Sequence, residues 1–314
     1  MIILLEVFTM EFLRFLEGIR TPFMDTLMSL ITQLGDELFF MVIAIAMFWC
    51  IDKRRGYYLL SVGFLGTVLN QFLKLVFRVP RPWVLDPNFT IVESAREAAT
   101  GYSFPSGHTQ NAVGTFGGVA RSAKKRWVQI VCVVILLLVS FSRMYLGVHT
   151  PKDVGVSFVI AIVLLLALYP VFQKMEEKPN LMYWLLGVMT ALGVAYLLFV
   201  SVYPFPADVD AANLASGTKN AYTLLGATVG VLIAFHVDRT HTHFSTEAPL
   251  LGQILKLVLG LGLTLAVKSG LKPVLYALFN EHYFADFVRY FLMVLVAGVL
   301  WPMTFKWFAK VGKK

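Results

Sequence analysis

The chain has 314 residues, of which 58% are hydrophobic and only 15% charged, and its mean hydropathy is +0.71. A water-soluble domain carries about a quarter of its residues as charges, so a soluble globular protein is excluded, and apolar stretches of about 20 residues are long enough to cross a bilayer as helices. The net charge of +8 carries less information than where Lys and Arg fall between the apolar runs, and no nucleic-acid partner is expected. Cys50 and Cys132 sit within apolar runs, where packing rather than a disulfide is their expected role. The start, Met-Ile-Ile-Leu-Leu-Glu6, has neither the basic residues nor the small-residue cleavage site of a signal peptide, so it is expected to be retained.

In chain order, residues 1–20 carry Ile3, Leu4, Val7, Phe8, Phe12, Phe15, Leu16 and Ile19 at helical spacing, with Glu6, Glu11, Arg14 and Glu17 between them. This pattern predicts a helix lying in the membrane interface, although a short span is also compatible with it. A second short helix is expected over Met24 to Gln33. Apolar runs at 37–52, 56–77, 106–121, 127–147, 151–172, 181–202, 220–236, 251–271 and 286–308 predict nine membrane spans. The expected fold class is all-α: a polytopic transmembrane helix bundle of about nine spans with an interfacial N-terminal helix. Its expected organisation is interfacial helices over 1–35, a catalytic helix core over 36–173 and additional C-terminal transmembrane helices over 174–314. Close helix packing is the reading given to Gly226, Gly230, Gly260 and Gly262.

With alternating spans, Lys53, Arg54, Arg55, Arg121, Lys124, Lys125, Arg126, Lys174, Lys178, Arg239, Lys306, Lys310, Lys313 and Lys314 share one side. An excess of Lys and Arg in short loops marks that side as cytoplasmic. Lys74, Arg78, Arg81, Arg143 and Lys152 gather on the opposite side. Two polar loops face the same way: 78–105, with a short amphipathic helix expected over Ile91 to Ala99, and 203–219, placed to cover the mouth of a site.

Three pieces of sequence meet at that face: Lys74 with Arg81-Pro82; Pro105-Ser106-Gly107-His108; and Ser142-Arg143 followed by His149 and Asp153. The ends of the second and fourth spans and the starts of the third and fifth must all lie there. The residue types suit phosphoryl transfer, in which negative charge spreads over the equatorial oxygens and is stabilised by fixed positive potential. Lys74, Arg81 and Arg143 supply that potential. Ser106 and Gly107 stand where a helix begins, so their backbone N–H groups would face an anion. His149 is the candidate nucleophile, Asp153 the acceptor that holds its tautomer, and His108 the acid and base. No metal or other cofactor is expected. Thr150-Pro151-Lys152-Asp153 is equally a helix start, with a Thr cap, Pro at the first position and an acid three residues after the cap, so Asp153 taken alone has two readings. His236, Asp238, His241 and His243 have metal-like residue types but are read as a solvated loop; Lys268 and Lys272 are read as membrane anchors, and Glu37 as an interfacial charge.

Together, Lys74-x6-Arg81-Pro82, Pro105-Ser106-Gly107-His108 and Ser142-Arg143-x5-His149-x3-Asp153 resemble, without a mismatch, the three-part signature of the type-2 phosphatidic acid phosphatase superfamily. The resemblance covers residues 74–153. It implies metal-independent removal of phosphate through a phosphohistidine on His149, oriented by Asp153, with His108 as acid and base. It also implies that Lys74, Arg81, Ser106, Gly107, Ser142 and Arg143 bind phosphate, and that a helical core holds the site at the outer membrane face. The layout is most similar to the branch that includes sphingosine-1-phosphate phosphatases and glucose-6-phosphatase; relatives acting on undecaprenyl pyrophosphate or phosphatidylglycerophosphate are usually described with fewer spans.

The resulting expectation is a phosphoric monoester hydrolase acting on a lipid phosphate or pyrophosphate. It would lie in a multi-pass protein of a bacterial cell membrane, with the site outside the cytoplasm and membrane lipids as its surroundings. A phosphotransferase using the same histidine and a phospholipid transporter with a binding-only pocket stay open. Spans six to nine have three candidate uses: a wall for the lipid tail, a homodimer surface or a separate cavity.

Overall fold

The computed structural model describes residues 2–312, with side chains from Thr9 onward; Lys313, Lys314 and the side chains of Ile3, Leu4, Glu6, Val7 and Phe8 lie outside the described residues. Among those residues every regular element is helical. They are α1 (Ile2–Gly18), α2 (Pro22–Thr32), α3 (Glu37–Ala46), α4 (Lys53–Phe77), the one-turn α5 (Pro82–Leu85), α6 (Gly107–Ser122), α7 (Arg126–Tyr145), α8 (Pro151–Gln173), α9 (Asn180–Val202), α10 (Ala211–Val237), α11 (Leu250–Leu278), α12 (Phe284–Leu295) and the one-turn α13 (Phe305–Phe308).

Seven of the described helices are long and apolar enough to cross a membrane, and up to eight if the pair Pro22–Gly35 and Glu37–Ile51, bent by 48°, forms one span. Nine expected spans agree with this roughly. The remaining one is α6, which at 16 residues is short for a full crossing and packs along α7. Asp210 accepts from Asn213 N at 2.7 Å and so caps α10, which begins inside the expected 203–219 loop. The expected 286–308 run is one candidate span, Phe284–Phe308, in which α12 passes through a π-helical turn, Val296–Leu300, and a 3₁₀ turn, Pro302–Thr304, into α13.

Two compact units partition the chain: Met1–Met41 with Ser61–Leu168 and Phe205–Gly217, and Val42–Leu60 with Tyr169–Pro204 and Thr218–Lys314. In the first, Leu13 and Leu16 of α1, Met28 of α2, Phe89, Ile91 and Ala95 of the polar loop, Tyr145 at the end of α7, and Leu146 and Val148 just after it bury one another. Each large side chain so buried contributes roughly 1.5–3 kcal/mol. Polar ties reinforce the contact: Arg14 Nη2 lies 2.5 Å from Asp86 Oδ2, Thr90 N donates to Glu17 Oε1 at 2.8 Å, and Arg20 donates to Thr90 O at 2.7 Å and Tyr145 O at 3.0 Å. The expected amphipathic helix at Ile91–Ala99 is instead a single 3₁₀ turn, Glu93–Ala95. Ile91 and Ala95 are drawn into this cluster and Val92 N donates to Leu146 O at 3.1 Å, so the backbone is committed across the chain rather than along a helix.

In the second unit the glycines largely serve close approach. A side-chain carbon on Gly226 would come within 2.2 Å of Phe287 O, and one on Gly260 within 2.2 Å of the Trp301 indole nitrogen, whereas Gly262 faces open space. Lys53 pairs with Asp238 at 2.7 Å, and Tyr183 OH lies 3.0 Å from His236 Nδ1. No three His, Cys, Asp or Glu side chains of the described residues converge as a metal set; the 236–243 stretch, expected as a solvated loop, instead forms a helical turn over Asp238–Thr242 with Asp238 buried. Cys50 and Cys132 are both free thiols.

Candidate active site

The site grows out of four helix ends in the first unit. Ser106 caps α6, its hydroxyl accepting from Thr109 N at 3.4 Å, so Gly107 and His108 form the first turn, where backbone N–H groups have no partner within the helix. Thr150 and Asp153 cap α8 reciprocally: Thr150 N donates to Asp153 Oδ2 at 2.8 Å, and Asp153 N to Thr150 Oγ1 at 3.3 Å. This is the capping box expected from the sequence. The two starts are joined, because Ser106 N donates to Asp153 O at 3.2 Å.

Between α7 and α8 the chain must reverse within a few residues. Gly147, at φ +79°, supplies the left-handed turn, and a side-chain carbon there would meet Arg20 Nη2 at 2.7 Å and the Phe89 ring at 2.9 Å. The turn returns Val148 N and His149 N to Arg143 O, both at 3.2 Å. His149 is thereby buried to 2% exposure. Its Nδ1 lies 3.5 Å from Asp153 Oδ2, and its Nε2 lies 3.0 Å from Arg81 Nη1. A guanidinium only donates, so at this contact Nε2 accepts and the proton falls to Nδ1, which faces Asp153 without making a hydrogen bond.

The cations are held by neutral oxygens. Lys74 Nζ donates to Tyr102 O at 2.6 Å and Thr100 O at 3.3 Å. Arg81 donates to Gly101 O at 3.1 Å, Thr100 O at 2.7 Å and Val148 O at 2.9 Å. Arg143 Nη1 donates to Thr32 Oγ1 at 2.8 Å, while its Nε has no hydrogen-bond partner. All three are buried, yet among the described residues none makes a salt bridge. Carbonyls orient a cation but do not neutralise it, and buried charge without a counter-charge is costly. Such a cluster is suited to an anionic ligand. The same burial, followed by the charges of Arg81, Arg143 and Lys74, pushes the His149 ring well below its usual value and keeps it neutral.

The structure thus brings the side chains of Asp153 and Arg81 to the His149 ring, ties Ser106 and Arg143 to Asp153 and His149 through their backbones, and places Lys74 on the same 100–102 backbone that holds Arg81. Gly107 and His108 stand half-buried in the first turn of α6. Ser142 is buried with its hydroxyl donating to Val139 O at 2.6 Å, back onto its own helix. Arg78 and Lys152 are engaged elsewhere: Arg78 donates to Leu75 O at 3.4 Å, and the exposed Lys152 lies over the Phe104 ring. In the 203–219 segment, Asp210 N donates to Tyr102 OH at 3.2 Å, so its start rests on the loop that cradles Lys74 and Arg81.

Sequence reasoning missed three supports. Ser103, fully buried, donates to Asp153 Oδ2 at 2.6 Å; its only signal was a hydroxyl in the polar loop just before Pro105. Thr32 positions Arg143 from the end of α2. Gly35 backs the first turn of α6: a side-chain carbon there would sit 2.7 Å from Val139 Cγ1 and 2.9 Å from His108 O. Gly35→Ala is therefore expected to displace His108 and lower turnover ~10- to 100-fold. Gly155→Ala, which points into open space, should leave phosphate release unchanged in the same assay.

Residues 55–177 match the PAP2 superfamily. Undecaprenyl-diphosphatase BcrC of Bacillus subtilis is 32% identical over 143 residues, 45% of this chain and 71% of that protein. The chain belongs to the PAP2 superfamily. It is a membrane phosphatase, a phosphoric monoester hydrolase, and residues 222–313 match the PAP2 superfamily phosphatase transmembrane extension. Two further PAP2 relatives are phosphatidylglycerophosphatase B of Bacillus subtilis, 32% identical over 163 residues (46% of this chain, 74% of that protein), and sphingosine-1-phosphate phosphatase 1 of Mus musculus, 26% identical over 261 residues (77% of this chain, 58% of that protein). No solved structure matches the chain.

Proposed function

We propose that this PAP2 phosphatase hydrolyses a phosphate monoester or pyrophosphate on a lipid, through a phosphohistidine on His149, at the extracytoplasmic face of a cell membrane. The observation that carries the reading is the uncompensated cation cluster closing on the Nε2 of a neutral, buried imidazole. For attack, Nε2 exchanges its Arg81 contact for phosphorus, and the guanidinium turns to the phosphoryl oxygens beside Lys74, Arg143, the hydroxyl of Ser106 and the N–H group of Gly107. The bond from phosphorus to the leaving oxygen breaks as His108 gives that oxygen a proton. Asp153 stabilises the positive charge that develops on the ring. Water, deprotonated by His108, then attacks phosphorus, the N–P bond breaks and phosphate leaves. Ser142 joins the phosphate-binding set once its hydroxyl rotates away from Val139 O.

A lipid substrate is supported by the position of these residues at helix ends, where a headgroup enters while its chains stay in the bilayer. The relatives' names support it too, in undecaprenyl diphosphate, phosphatidylglycerophosphate and sphingosine-1-phosphate. The distribution of Lys and Arg supports the extracytoplasmic placement. In the organisation that fits this reading, residues 36–173 perform the chemistry, 1–35 lie on the membrane and 174–314 form a further helical region. The decisive experiment is a phosphate-release screen of the detergent-solubilised protein with phosphatidate, lysophosphatidate, sphingosine-1-phosphate, phosphatidylglycerophosphate, polyprenyl pyrophosphate and glucose-6-phosphate. Release from a lipid is expected; release from glucose-6-phosphate alone would overturn the lipid assignment.

The depressed His149 value also links to stability. Its folded value lies below the unfolded value of about 6.5, so the folded protein binds fewer protons between the two. The ring's contribution to stability is then complete above about pH 6.5 and is lost as pH falls toward the folded value. The expected result is that the unfolding midpoint of the wild type, relative to His149→Gln, is level above pH 7 and declines below pH ~6.5.

A further inference from the structure

Asn70 of α4 is 3% exposed, and neither its Oδ1 nor its Nδ2 has a hydrogen-bond partner. An orphaned carboxamide buried inside a helix bundle requires a reason, because leaving its donor and acceptor unpaired is costly. It stands one helical turn before Lys74, on the same face. Across from it lies the start of α6: a side-chain carbon on Gly107 would rest 3.9 Å from Asn70 Oδ1. The two helices meet along a seam that fixes this placement. Val62 lies against Gly114, with 3.2 Å to a carbon built there, and Gly66 against Gln110, with 2.5 Å to its Nε2. One turn further along α4, Asn70 reaches the end of α6 whose unpaired N–H groups, with Lys74, form the anion site.

We propose that Asn70 is a further phosphoryl-binding residue, its carboxamide nitrogen donating to a non-bridging oxygen of the group held by Lys74 and the first turn of α6. The inference rests on the phosphatase reading above and adds to it a donor that brings no further positive charge into an already crowded cation cluster. The competing account is structural. Gln110 is also 3% exposed with both carboxamide atoms orphaned, and the two amides would then only fill the seam between α4 and α6.

The test compares wild type with Asn70→Ala and Asn70→Ser, measuring the inhibition constant of orthovanadate, kcat/KM for phosphate release and the unfolding midpoint. A hydrogen bond to a charged group corresponds to a loss of roughly tenfold to a hundredfold. The expected result is that loss in both vanadate affinity and kcat/KM, with an unfolding midpoint equal to or above wild type, since an orphaned polar group has been removed. Asn70→Ser keeps a small polar side chain and serves if Asn70→Ala does not fold. Vanadate inhibition and kcat/KM within twofold of wild type, together with a lowered midpoint, would overturn the proposal and leave Asn70 as a packing residue of the seam. A wild-type protein that neither releases phosphate nor is stabilised by vanadate would instead sink the phosphatase reading, and this one with it.

Discussion

His149→Ala is expected to abolish phosphate release, lowering kcat by about 10⁴-fold or more, because it removes the nitrogen that forms the bond to phosphorus. His108→Ala should cost ~10²- to 10⁴-fold and do so differently. The leaving oxygen can still depart from a good leaving group, but breakdown of the intermediate lacks its base. With a phosphate-labelled substrate, His108→Ala should therefore accumulate acid-labile label on the protein, and His149→Ala and the double variant should carry none. Unchanged turnover in His149→Ala would end the mechanism. Label that persists in the double variant would move the nucleophile elsewhere.

Asp153→Asn separates two jobs that the carboxylate performs at once. Its Oδ2 accepts from Thr150 N and Ser103 Oγ, and an amide oxygen can accept the same two bonds. The cap of α8 should survive, with an unfolding midpoint within a few degrees of wild type. What is lost is the negative charge 3.5 Å behind His149 Nδ1, and with it the preference for the tautomer that leaves Nε2 accepting. Turnover should fall by roughly 10²- to 10⁴-fold. Asp153→Ala should lose the same activity and also destabilise the fold, by ~0.5–2 kcal/mol for the cap. Equal midpoints for the two variants would show that the cap contributes nothing. Equal activity of Asp153→Asn and wild type would show that the ring does not need the charge.

Several of these groups could be read in the sequence because they carry local spacing. Thr150 to Asp153 is a capping pattern, Ser106-Gly107 opens a helix, and alternating spans alone put Lys74, Arg81, His108 and His149 at one face. Ser103, Thr32, Gly35 and Asn70 carry no such signal. Ser103 meets Asp153 across 50 positions, and Thr32 meets Arg143 across 111. A threonine at a helix end or an asparagine in an apolar run reads the same whether it faces lipid or a buried guanidinium. The helix expected at Ile91–Ala99 failed for a related reason: its periodicity was real, but the partner that claimed Ile91 and Ala95 was α1, far away in the chain. Likewise, the start of α10 was hidden by the assumption that a polar stretch between spans is loop throughout, although Asp210 was there to cap it.

The N-terminal pair α1 and α2 has a practical consequence for anyone preparing this protein. Arg14 and Glu17 grip Asp86 and Thr90 on the loop whose far end supplies the carbonyls around Arg81. A truncation beginning at Thr21, chosen to trim an expendable-looking leader, would leave every motif residue in place and still let that loop swing. Such a preparation would insert into the membrane, pass a homogeneity check and be mistaken for a naturally sluggish enzyme.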